Sequence, residues 1–172
     1  MDFGILYILS QVDFSLNANQ IHRDLLIRNI ALLDLRANPQ PNIDMESLIV
    51  FLYVQYEGAY RLMLSPIDKK FTSDLGHMLT LSQEGSFDSI RKCEKLVREY
   101  IEMPTYDRIV RLLKSLKKDG LVVETKSGRG VVYGVPPEIK EEVLAYPAKQ
   151  LVPKFRKGII KTLPEFIQKS LS

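Results

Sequence analysis

One cysteine, two histidines and no tryptophan leave little material for several kinds of chemistry. A lone Cys93 excludes an internal disulfide and a cysteine metal cluster, and makes a reducing, cytoplasmic setting the simple expectation. His22 falls in the first turn of an expected helix with no second histidine near it, whereas a metal site needs several convergent ligands. No apolar run approaches the roughly 20 residues that span a bilayer. The opening stretch MDFGILYILSQVDF has no basic segment ahead of its apolar residues, so a secretory signal is not expected. The P-loop, dinucleotide fingerprint, HExxH and GxSxG patterns are all missing. The reading is therefore of a non-catalytic protein with no cofactor, no catalytic residues and no metal.

What remains is ordinary in composition and uneven in charge. A 172-residue chain that is 45% hydrophobic and 26% charged can bury one sizeable core or two small ones. Residues 1–87 carry six basic and ten acidic side chains, and residues 88–172 carry eighteen and eleven. Such an asymmetry points to a polyanionic partner for the basic half.

Taken in order, residues 3–12 read as a short apolar helix. Asn17 or Asn19 can cap a second helix running to about Arg36, with Ile21, Leu25, Leu32 and Leu33 inward. Ala37-Asn38-Pro39-Gln40-Pro41-Asn42 forbids a continuing helix. The run 48–54 is apolar on every side and could be a buried strand; a buried helix over 45–57, with Asp44 to cap it and Gly58 to close it, is preferred. The stretch 59–64 extends it or forms a strand. Asp74 can cap a helix over 75–83, and Cys93 falls within another over 89–103, where it reads as core. That helix carries Arg91, Lys92, Lys95 and Arg98.

Pro104 interrupts it, and Thr105 can cap the next helix, with Asp107 favourably placed in the first turn. Ile109, Leu112, Leu113 and Leu116 give that helix one buried stripe, and Gly120 can end it. Two β-branched runs follow, 121–126 and 131–135, joined by Ser127-Gly128-Arg129-Gly130, whose glycines suit a tight hairpin. Val135-Pro136-Pro137-Glu138 starts a further helix, with proline tolerated at its first position and Glu138, Glu141 and Glu142 suited to its positive start, and it ends by Tyr146-Pro147. Thr162-Leu163-Pro164-Glu165 fits a capping box for a terminal amphipathic helix, which more simply packs on protein than on a membrane.

Helix, short turn, helix and two-stranded hairpin is an order of elements that resembles the winged helix-turn-helix family. The resemblance rests on T-Y-x-x-I-V-x-x-L-x-x-L-x-x-x-G-L-V followed by E-T-K-S-G-R-G-V-V-Y-G-V. It implies a mainly α fold with a small β-hairpin wing: a helical N-terminal part over 1–43, a winged-helix domain over 44–135 with room for an insertion, and C-terminal helices over 136–172. Either 75–83 or 45–57 would supply the first helix of the winged domain. Thr105, Tyr106, Arg108 and Arg111 would meet base edges or phosphates, Lys114, Lys117 and Lys118 phosphates, and Lys126 and Arg129 an adjacent groove or the backbone. The implied function is a homodimeric transcription regulator binding double-stranded DNA, with the dimer surface on 45–57 or the C-terminal helix. The alternative is a non-catalytic subunit of a replication, transcription or chromosome-maintenance assembly. Its acidic N-terminal half would then dock a protein partner.

Overall fold

The computed structural model describes residues 2–38 and 67–157. The expected helix over 45–57, the stretch 59–64 and the helix begun by Thr162 lie outside the described residues. The described elements are α1 (Asp2–Ser10), α2 (Ala18–Ala37), α3 (Lys69–Glu84), α4 (Phe87–Arg98), α5 (Tyr106–Lys118), β1 (Val123–Ser127), β2 (Gly130–Gly134) and α6 (Pro137–Tyr146). A π-helical turn (Pro147–Leu151) and a short α7 (Val152–Arg156) follow. The described residues are mainly helical with one small antiparallel sheet, as the residue patterns imply. No described helix is long and apolar enough to cross a membrane.

These elements fall into two compact units. The described part of one is 2–24 with 104–157, and that of the other is 25–38 with 67–103. The units cut across the segments drawn from the sequence. The N-terminal residues join the hairpin, while 75–83 and α4 belong to the other unit.

In the first unit, α1 packs on α6 and on β2. Phe3 meets Tyr146 with ring centroids 5.3 Å apart, and the Lys140 ammonium donates to the Val12 carbonyl at 2.9 Å and to Asp13 at 3.1 Å. Leu16 then runs beside the second strand for a single residue. Its N–H donates to the Tyr133 carbonyl at 2.9 Å and its carbonyl accepts the Tyr133 N–H at 2.7 Å. Immediately afterwards Asn17 opens α2 with a reciprocal cap: its Oδ1 accepts the Gln20 N–H, and Gln20 Oε1 accepts the Asn17 N–H, both at 2.8 Å. Ile5, Ile8, Leu9, Leu16 and Ile21 are buried, as are Ile109, Leu113, Leu116, Val122 and Tyr133. Side chains from the chain's start and from the hairpin region thus supply the apolar burial that stabilises this unit, at roughly 1.5–3 kcal/mol for each large aliphatic.

In the second unit α3 packs against α4. The start of α3 differs from expectation. Asp68, not Asp74, is the cap; it accepts the Phe71 N–H at 2.8 Å, and the helix begins at Lys69. Asp74 faces sideways instead, accepting the Tyr100 hydroxyl at 2.5 Å and the Lys70 ammonium at 3.0 Å. Those two bonds, Tyr100 first, hold its carboxyl below the usual range. The earlier start brings Phe71, 1% exposed, into the core, where the Arg36 guanidinium lies 5.7 Å from its ring centre.

α4 also differs. Ser86 caps it, so it starts at Phe87, and it stops at Arg98 rather than Met103. Pro104 disfavours the helical region for Met103, and the chain leaves the helix a turn earlier. The Arg98 guanidinium takes up the freed Met103 carbonyl at 2.6 Å while pairing with Glu94 at 2.7 Å. Cys93 is fully buried, and its thiol donates to the Met78 carbonyl at 3.4 Å. Burial pushes its pKa up to about 11, which makes it a packing residue tying α4 to α3.

Candidate nucleic-acid interface

The hydroxyl of Thr105 accepts the Arg108 N–H at 3.2 Å and starts α5. At the other end Gly120 adopts φ +74, its N–H bonds the Lys117 carbonyl at 3.0 Å, and the Leu121 N–H bonds the Leu116 carbonyl at 3.0 Å. This is a Schellman closure, and it needs the left-handed conformation that glycine reaches at least cost. Both ends of the helix are therefore fixed by the residues its sequence offers for the purpose.

Between them, Ile109, Leu113 and Leu116 are buried, while Leu112 is half-buried and contributes less than its spacing suggests. At roughly 100° per residue, Asp107, Arg111, Lys114 and Lys118 lie within a narrow arc directly opposite that buried stripe. All four are exposed. Arg108 and Ser115 lie about a quarter turn to one side of the arc, and Tyr106, 44% exposed, lies to the other.

The hairpin pairs Val123 with Gly134 through Ser127 with Gly130, leaving Gly128 and Arg129 as a two-residue loop. Gly128 has φ +61 and Arg129 a negative φ, the pattern of a type II′ turn matched to the twist of the strands. Arg129 is exposed at the tip. Lys126 is exposed one pleat behind it, on the hairpin face shared with Glu124 and Tyr133, since strand residues two apart share a face and directly paired residues do too.

A polar tie joins helix to hairpin. Glu124 accepts the Lys117 ammonium and, at 3.5 Å, the hydroxyl of its cross-strand partner Tyr133. The hydrogen bond to Lys117 is the main reason the Glu124 carboxyl is held low, and that to Glu124 the main reason the Lys117 amine is raised. Burial, then Glu124, raises the Tyr133 phenol. Lys117, expected at a phosphate, is paired with Glu124 within the protein. Arg108, Arg111, Lys114, Lys118, Lys126 and Arg129 take part in no ion pair among the described residues, in contrast to Lys70, Arg98, Lys117 and Lys140.

Every residue singled out for this surface is exposed, and all lie in the first unit. The extension of the surface along α4 is different. Arg91, Lys92, Lys95 and Arg98 belong to the other unit; Arg98 is held by Glu94 and Met103, and the Arg91 guanidinium lies 5.8 Å from the Phe87 ring centre. Sequence reasoning missed the Glu124 tie and the Leu16 bridge. The tie spans seven positions across a helix end, and a one-residue bridge leaves no periodicity to find. No protein family, curated protein or solved structure matches this chain.

Proposed function

We propose that this chain is a winged-helix protein that binds double-stranded DNA, most simply a homodimeric transcription regulator. The observation that carries the reading is the outward face of α5. Arg111, Lys114 and Lys118 stand opposite the helix's buried stripe and take part in no ion pair among the described residues, Lys114 being close enough to Glu124 to help hold that carboxyl low, on a helix tied through Lys117 and Glu124 to a hairpin with Arg129 at its tip. A phosphate backbone supplies the missing counterions, and releasing condensed salt from the duplex drives the association.

In this reading α1, which packs on β2, and the Leu16 bridge support the hairpin, and 75–83, which belongs to the other unit, does not. The residues from 25 to 103 are then an insertion within the winged domain. α5 enters the major groove with its exposed stripe inward, Thr105 serves mainly as the cap, and Lys126 and Arg129 meet the neighbouring backbone or groove. Two copies would set two such helices in successive major grooves about 34 Å apart. The segments favoured for that dimer contact lie outside the described residues.

The test is titration of a random-sequence duplex of ~20 base pairs over a salt series. Five or six phosphate contacts would give a log–log slope near −5. Binding that is absent, or indifferent to salt, in a well-folded chain would favour the alternative of a docking subunit acting through protein contacts.

A further inference from the structure

Asp107 is out of place on the outward face of α5. It lies in the same arc as Arg111, Lys114 and Lys118, opposite Ile109, Leu113 and Leu116, and it is exposed. Arg111 stands four residues on, the spacing at which helical ion pairs form. Elsewhere the chain uses that spacing: Lys70 pairs with Asp74 at 3.0 Å and Glu94 with Arg98 at 2.7 Å. Asp107 and Arg111 form no such pair, and neither has another ion-pair partner among the described residues. A carboxylate with no ion-pair partner among the described residues therefore sits at the N-terminal end of a cationic stripe.

Such a group opposes binding to phosphate. A carboxylate is only an acceptor, so the groups it can meet favourably in a major groove are the exocyclic amines, cytosine N4 and adenine N6. Adenine presents its N7 acceptor beside the amine, which suits the donor and acceptor of an amide but sets lone pair against lone pair for a carboxylate. Cytosine presents the amine without a neighbouring acceptor. Arg111, one turn along the same stripe, carries the donor fork that suits guanine O6 and N7.

We propose that Asp107 is the specificity-determining residue of this face, accepting a hydrogen bond from N4 of a cytosine under the first turn of α5. This rests on the DNA-binding reading above. It gives the acidic side chain a role beyond its favourable placement near the helix start, which would affect stability and not sequence choice.

The experiment selects bound duplexes from a randomised pool with the full chain, its Asp107→Ala variant and its Asp107→Asn variant, each checked for unchanged far-ultraviolet ellipticity. The wild type should enrich cytosine at one position by roughly 10-fold or more, the size of one good base contact. Asp107→Ala should lose that enrichment, keep the others and bind random duplex a few-fold more tightly. Asp107→Asn should shift the same position toward adenine. A wild-type chain that retains no duplex overturns the DNA-binding reading and this inference together. A wild-type chain that selects a sequence while Asp107→Ala selects the same one overturns the assignment of Asp107 alone.

Discussion

Replacing Arg111 and Arg129 together by alanine is expected to weaken binding to a random-sequence duplex by about 10- to 100-fold at ~0.1 M salt. It should also flatten the log–log salt dependence by about two. Both side chains are exposed and neither has an ion-pair partner among the described residues. Their loss removes nothing the fold uses, so stability should stay within about 0.5 kcal/mol of the parent. Lys117→Ala is the informative contrast. Its charge is already engaged by Glu124, so its removal should flatten the salt slope by less than either arginine, although it carries the same formal charge. Anisotropy titrations with a labelled duplex and a urea unfolding curve separate the two effects. Equal slope changes for Lys117→Ala and Arg111→Ala would mean that the internal pair does not hold its lysine away from the duplex.

The second large effect is on stability. Leu113→Ala should cost about 2–5 kcal/mol, because Leu113 is fully buried and its removal leaves a cavity as well as lost apolar transfer. For a chain of this size that corresponds to a fall in melting temperature of roughly 4–20 °C. The neighbouring Lys114→Ala should change stability by no more than about 0.5 kcal/mol, since it is exposed on the opposite side of the same helix. The pair of variants inverts under binding: Lys114→Ala should weaken duplex binding while leaving unfolding unchanged. A small cost for Leu113→Ala would mean that the apolar stripe is not what seats α5.

The elements on which these expectations rest were largely legible in the sequence, and the reasons are local. Thr105, the four-residue recurrence of Ile109 and Leu113, and Gly120 each act through bonds or contacts within a few residues, and the structure uses each as read. The same holds for the glycine turn of the hairpin, and of the two asparagines offered as the cap of α2 the structure uses Asn17. At the start of α3 local reasoning named Asp74 alone as the cap and missed Asp68. Asp68 and Asp74 both precede apolar repeats, and the choice depended on Phe71 reaching the core and on Tyr100, twenty-six residues away, claiming the second carboxylate. The end of α4 was likewise placed late, because Pro104 restricts Met103 just before it and the chain leaves the helix a turn ahead of that residue. The junction of the N-terminal residues with the hairpin unit was out of reach, since the Leu16 bridge, the Phe3–Tyr146 contact and the Lys140 bonds all join residues more than a hundred positions apart. The exposure of the candidate residues followed from helical periodicity. Which lysine would be internally paired did not, because that required knowing where β1 passes the end of α5.

The central claim is that α5 and the hairpin tip form one surface that lies against a duplex. It is tested most directly by following the backbone amide resonances of the full chain as a short duplex is added. The account predicts shifts concentrated over residues 105–118 and 126–130, with α3 and α4 little changed. Shifts concentrated on α3 and α4, with Arg111 and Arg129 undisturbed, would contradict it.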